Sequence, residues 1–110
     1  MSKIIFFDID GKLYDSRIGI PESTVNALNQ LIANEHKIVM CTGRSKGMIP
    51  EEYFHMGFDG VSLGAGTYVE YEGKILHQEL MTPEQVQTVI DWGKKQKIGI
   101  ILEGEKYGYY

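Results

Sequence analysis

Apolar residues fall along this chain in short blocks, some continuous and some at helical spacing. Lys3 to Phe7 contains a continuous apolar run rich in Ile and Phe, the pattern of a strand buried on both faces, as in a parallel sheet covered by helices. It runs directly into two acids, Asp8 and Asp10. Residues 11 to 20 hold Gly11, Asp15, Ser16 and Gly19 without helical periodicity, which predicts a loop or small flap leaving that strand end. Pro21 suits a first helical turn, and Val25, Leu28, Leu31 and Ile32 form an apolar stripe at helical spacing up to Asn34. Lys37 to Cys41 reads as a second strand, followed by Thr42, Gly43, Arg44 and a predicted helix from Ser45 to about His55. Asp59 to Leu63 is a third strand.

This alternation of strand and helix predicts parallel pairing through right-handed crossovers, with a site at the carboxyl ends of the strands. Asp8 to Asp10, Thr42 to Arg44 and Gly64 to Gly66 all fall at those ends. After Gly66 the pattern changes. Thr67 to Tyr71 and Lys74 to Gln78 flank Glu72-Gly73 and predict a hairpin. Thr82, Pro83 and Gln85 spell a helix start with a capping box, Val86, Val89 and Ile90 supply that helix's buried face, and Lys94, Lys95 and Lys97 suit its negative end. Ile98 to Leu102 predicts a further strand, and Gly104-Glu105 a turn into Lys106 to Tyr110. The one domain-boundary candidate lies near Leu80 to Thr82, which divides the chain into residues 1–80 and 81–110.

Composition narrows the functional classes. The chain has 110 residues, 43% of them hydrophobic and 24% charged, enough for one globular domain that buries about two thirds of its unfolded surface. Net charge is −4, and no basic stripe is present, so nucleic acid and anionic membranes are poor partners. No apolar stretch reaches the roughly 18 to 20 residues that span a bilayer. A single cysteine, Cys41, and the lack of a cleavable signal pattern predict a cytoplasmic protein. Cys41 itself reads as a small buried side chain, since Cys41-Thr42-Gly43-Arg44 lacks the gap of a cysteine-phosphatase loop. His36, His55 and His77 have no metal-ligand spacing, and Gly64-Ala65-Gly66 precedes a hairpin rather than the helix of a dinucleotide site.

The strand-end residues suit phosphate chemistry. Hydrolysis of a phosphate monoester needs an in-line nucleophile, a proton donor for the leaving oxygen, and donors around the transferring phosphoryl group. An aspartate ionised at neutral pH, such as Asp8, can attack without a separate base. Asp10, two residues on, can protonate the leaving alkoxide. Two carboxylates about 5 Å apart at an effective dielectric near 20 repel by roughly 3 kcal/mol, so such a pair recruits a cation. All-oxygen ligands and a phosphate substrate point to Mg²⁺. The Thr42 hydroxyl and the N–H groups near Gly43 suit a phosphate oxygen, and Gly11 permits close backbone approach. Arg44 fits either a substrate contact or a structural ion pair.

At this point a family comes into view. Ile4-Ile5-Phe6-Phe7-Asp8-Ile9-Asp10-Gly11, with Leu13 and Asp15, resembles the first motif of the haloacid dehalogenase (HAD) phosphatases, and Val39-Met40-Cys41-Thr42-Gly43-Arg44 resembles their second. The spacing between them, and Gly64-Ala65-Gly66 before a hairpin, resemble the Cof-type subgroup. The resemblance implies a partial three-layer α/β core of HAD-like, Rossmannoid type, a parallel sheet with flanking helices over residues 1–80. A β-hairpin and the beginning of an α+β cap, over 81–110, would follow. It further implies Asp8 as nucleophile, Asp10 as general acid/base, and Thr42, Gly43, Gly11 and Arg44 around the phosphate. Mg²⁺ would be held by the Asp8 side chain and the Asp10 backbone carbonyl, with a small phosphorylated metabolite as substrate. Two departures are visible: Lys12 stands where the family has Thr or Val, and the family's later catalytic lysine and metal-binding acids lie on segments beyond position 110. Weak or absent turnover is therefore expected of these residues alone. The second reading is a truncated, non-catalytic phosphate-binding domain that self-associates, as a homodimer, through an exposed sheet edge beside Asp8. A receiver-like phospho-acceptor fits poorly, because its acceptor ends the third strand, where Leu63-Gly64 stands.

Overall fold

The computed structural model describes residues 1–110. Its strands are β1 (Ile4–Phe7), β2 (Lys37–Cys41), β3 (Gly60–Leu63), β4 (Tyr68–Tyr71) and β5 (Lys74–Gln78), which form one five-stranded sheet in sequence order. Helix α1 (Glu22–Ala33) connects β1 to β2. The pairs β1–β2 and β2–β3 are parallel, whereas β3–β4 and β4–β5 are antiparallel. Helix α2 (Pro83–Gln96) and a two-stranded hairpin, β6 (Leu102–Glu103) with β7 (Gly108–Tyr109), complete the chain.

Local chemistry explains most of these limits. Helix α1 stops because Glu35 takes φ +62, and the Glu35 and His36 N–H groups donate back to the Ile32 and Leu31 carbonyls, a Schellman closure. The Glu72-Gly73 turn takes positive φ at both residues, as a two-residue hairpin with the right-handed strand twist demands. At the start of α2 the Thr82 hydroxyl accepts from the Gln85 N–H while the Gln85 side chain accepts from the Thr82 N–H, which is the predicted capping box.

Most of the core lies on one side of the sheet, with Val39 of β2 buried on the other. Ile9, Met40, Ile49, Tyr53, Val61, Leu63 and Tyr68 form its larger cluster, and Leu13, Leu28 and Ile38 a smaller one that anchors α1. Each fully buried side chain of this kind stabilises the fold by about 1.5–3 kcal/mol. At the opposite end from the strand tips, Lys37 lies 3.7 Å from Asp59 and 3.5 Å from Glu72, and Asp59 accepts the Ile38 N–H.

Four expectations need correction. β1 is not buried on both faces: it forms the sheet edge, with Ile4 54% and Phe6 65% exposed, because no second layer covers that face. Cys41, whose register partner Ser62 lies on the same face, is exposed rather than buried. The helix predicted from Ser45 to His55 is two short 3₁₀ helices, Lys46–Met48 and Glu51–His55, separated by Pro50, which cannot donate a helical N–H and disfavours helix in the residue before it. Of the predicted Ile98 to Leu102 strand only Leu102 is paired, as the first residue of β6. The radius of gyration is 16.5 Å, against about 13 Å for a compact chain of this length, as a half-covered sheet with an extended second part requires.

Candidate active site

Strand register brings the predicted residues to one rim. Phe7 pairs with Met40 and Met40 with Val61, so the segments that follow β1, β2 and β3 leave the sheet side by side. These loops are bonded to one another: the Thr42 N–H donates to the Ser62 carbonyl, Ala65 to Thr42, and Gly64 to Arg44. Gly64, Ala65 and Gly66 all take positive φ, which lets the β3–β4 connection fold back beneath Thr42 and Arg44.

Ile9 is fully buried and fixes the backbone between the two acids. One Asp8 carboxylate oxygen accepts the Ile9 N–H at 2.8 Å, leaving the other free of protein donors. Thr42 is buried, and its oxygen accepts the Arg44 N–H at 3.1 Å, so its hydroxyl proton remains available to a ligand. The N–H groups of Asp10 and Gly43 have no partner in the chain. A free hydroxyl proton and two free N–H groups beside a carboxylate form an oxyanion-accepting rim.

Asp10 and Arg44 are joined directly. The guanidinium donates through Nε to Asp10 Oδ2 at 3.0 Å and through Nη2 to Oδ1, a two-pronged pair. Its Nη1 reaches the Met48 carbonyl at 3.4 Å, and its plane lies 5.5 Å from the centre of the Tyr14 ring. The hydrogen bond to Asp10 raises the Arg44 pKa, with burial opposing it. Of the two roles open to Arg44, the structure therefore realises the ion pair. Gly11 takes φ +77 and gives its N–H to the Tyr14 carbonyl at 2.9 Å, so it shapes the turn after the acids and supplies no free phosphate donor.

For a metal, the available donors are the free Asp8 oxygen and the Asp10 carbonyl, which accepts no hydrogen bond in the chain. Those two oxygens fit one side of a Mg²⁺ shell, which keeps several waters and takes substrate oxygens. No group of three or more His, Cys, Asp or Glu side chains stands ready to hold a metal alone.

Three contacts were invisible in the sequence. Glu103, 58 residues away, accepts the Ser45 N–H at 3.1 Å, which brings the β6–β7 hairpin onto the loop after Arg44. Lys46 lies 3.4 Å from the Tyr68 hydroxyl, which donates to Glu70 at 2.8 Å. Tyr14 carries the Arg44 guanidinium. All three are tertiary contacts without a local pattern in the sequence.

A mixed sheet, parallel across its first three strands, with an Asp-x-Asp and a Thr-Gly turn at neighbouring strand ends defines an α/β protein with a candidate acidic site at the strand tips. Residues 5–110 match the haloacid dehalogenase-like hydrolases, and the chain belongs to that family. Among its relatives, the Bacillus subtilis protein YkrA is 26% identical over 104 residues, which are 94% of this chain and 40% of YkrA. A Geobacillus kaustophilus protein of known structure superposes with a TM-score of 0.83 at 28% identity, over 98% of this chain and 42% of that one. The HAD subclass IIB sugar phosphatase BT4131 superposes with a TM-score of 0.78 at 28% identity, over 98% of this chain and 43% of that one. The chain thus spans about two fifths of the length of each of these relatives.

Proposed function

We propose that this chain carries the nucleophile and phosphate-holding part of a phosphatase for small phosphorylated metabolites, with Asp8 as the attacking group. The observation behind this reading is the convergence, at adjacent strand ends, of a carboxylate with one free oxygen, a buried hydroxyl with a free proton, and two unpartnered N–H groups. An Asp8 oxygen attacks phosphorus and the bond to the leaving oxygen breaks, giving an aspartyl phosphate. The leaving oxygen takes a proton from Asp10. Asp10 then accepts a proton from water as the water oxygen attacks phosphorus and the bond to Asp8 breaks, releasing phosphate and restoring the carboxylate. Thr42 Oγ1 and the Asp10 and Gly43 N–H groups hold the equatorial phosphate oxygens. Arg44 occupies both Asp10 oxygens in the resting site, so it releases one before Asp10 carries a proton.

Mg²⁺, held by Asp8 and the Asp10 carbonyl, would neutralise charge on the transferring phosphoryl group. In this reading residues 1–80 are core and 81–110 begin a cap that selects the substrate. The lone Cys41 suits a reducing compartment and a cytoplasmic protein; no helix is long and apolar enough to cross a membrane. The test is phosphate release from a panel of phosphate monoesters with Mg²⁺, compared with Asp8→Asn. Release that Asp8→Asn abolishes supports the reading; release unchanged in Asp8→Asn removes Asp8 from the chemistry.

The free edge of β1, with Ile4 and Phe6 exposed, favours a second reading: a non-catalytic phosphate-binding domain that pairs with a second copy through that edge. Sedimentation distinguishes it, since the second reading requires a concentration-dependent dimer and a strictly monomeric chain contradicts it.

A further inference from the structure

Tyr14 is built into the turn that carries Asp10. Its N–H donates to the Ile9 carbonyl at 2.8 Å and its carbonyl accepts the Gly11 N–H at 2.9 Å, so both residues that flank Asp10 are bonded to Tyr14. Asp10 and Tyr14 thereby form an isolated parallel bridge. The neighbouring Leu13 packs with Leu28 and Ile38, whereas the Tyr14 ring packs on the larger core cluster, its centroid 6.5 Å from that of the buried Tyr53. A ring tied to its own turn by backbone bonds and braced by the core has little freedom to move.

The Arg44 guanidinium lies 5.5 Å from the centre of this ring, within the range of a cation–ring attraction. Its other side-chain partners are the Met48 carbonyl, at a long 3.4 Å, and Asp10. Asp10 depends on Arg44 in turn. Its side chain is 54% exposed, and both of its carboxylate oxygens bond to Arg44 and to no other donor in the chain. Without Arg44 nothing in the chain would choose among the directions open to that carboxylate.

We propose that Tyr14 is a positioning residue, whose ring fixes the direction of the Asp10 carboxylate through Arg44. Its meaning for catalysis rests on the reading of Asp10 as proton donor, whereas the linkage itself is a property of the resting chain. The ring carries it, not the hydroxyl: the Tyr14 side chain makes its contacts through the ring, and its hydroxyl has no hydrogen bond. A cation is attracted to the face of phenylalanine as to that of tyrosine. Tyr14→Phe should therefore preserve the linkage, and Tyr14→Leu, which has no π face, should break it.

NMR of the isotope-labelled chain without substrate tests this. Exchange of the Arg44 Nε–H with water reports one end of the ion pair, and the Asp10 side-chain ¹³C carboxylate resonance reports the other. Tyr14→Leu should speed the Nε–H exchange about two- to tenfold, the range of a partly exposed cation–ring contact. It should also move the Asp10 resonance toward that of a solvated aspartate, while Tyr14→Phe leaves both signals in place. Asp10→Ala should abolish the Nε–H protection, which ties that signal to the pair. Protection of the Gly11 amide should persist in both Tyr14 variants, because its bond to the residue 14 carbonyl does not involve the ring. An unmoved Arg44 or Asp10 signal in Tyr14→Leu, equal changes in Tyr14→Phe, or protection that survives Asp10→Ala would overturn the proposal. Loss of Gly11 protection together with that of Arg44 would also overturn it, by making Tyr14 a structural residue of the turn alone. No phosphate ester is turned over in these measurements, so a failure of Asp8-dependent phosphate release would count against the proposed function and leave the linkage standing.

Discussion

Asp8, Asp10 and Thr42 were legible in the sequence because each directly follows, or lies within three residues of, a strand whose apolar run marks its end. Arg44 was legible only as a choice between two roles, since a guanidinium's partner depends on which side chains the fold brings within reach. Single positions carry sharp expectations. Glu35 adopts a left-handed conformation that costs a non-glycine residue roughly 1 kcal/mol, so Glu35→Gly should raise stability by about 1 kcal/mol in urea unfolding without altering the slope. Tyr53 and Tyr68 have pKa values raised chiefly by burial, and Tyr68 also by its bond to Glu70. A folded value above the unfolded one of about 10 means that their contribution is complete below that pH. It is lost as pH climbs through the folded values. Unfolding measured across the alkaline range should show this decline, and Tyr68→Phe should make it shallower.

At the scale of elements, capping and turn chemistry were read directly from residue order, as in Thr82-Pro83-Glu84-Gln85 and Glu72-Gly73. What sequence order did not reveal was coverage. Ile4 to Phe7 looks like a doubly buried strand because its residues are all apolar, yet one face has no layer over it, and periodicity within four residues cannot report what packs above them. The segment after Arg44 shows the reverse failure: apolar spacing favours a helix, and Pro50 overrides it. Thr82→Ala should destabilise the start of α2 by about 1 kcal/mol, seen as faster amide exchange at Gln85 and Val86. Gly47 is where the β6–β7 hairpin meets the core loop: a Cβ there would stand 2.5 Å from the Tyr107 nitrogen and 2.6 Å from the Gly104 oxygen. Gly47→Ala should therefore displace the hairpin, with the Gly47–Gly104 and Ser45–Glu103 bonds lost together and residues 102–110 cleaved faster by protease. Unchanged cleavage would mean that the hairpin does not depend on this contact.

For the whole molecule, a well-covered sheet face, a largely uncovered opposite face at β1 and the rim that carries Asp8 and Thr42 belong to the same arrangement, because parallel strands deliver their loops to one end while their faces await cover. The family was legible from two motifs 34 residues apart in Asp8 and Thr42 positions, without any knowledge of packing. The part of the account on which most depends is that Asp8 accepts a phosphoryl group. Beryllofluoride, a mimic of an aspartyl phosphate, tests this without requiring turnover. With Mg²⁺ present, ¹⁹F NMR should show protein-bound fluoride resonances for this chain and none for Asp8→Asn. Bound resonances that persist in Asp8→Asn, or their absence from the unaltered chain at saturating beryllofluoride, would contradict the assignment of Asp8 as the phosphoryl acceptor.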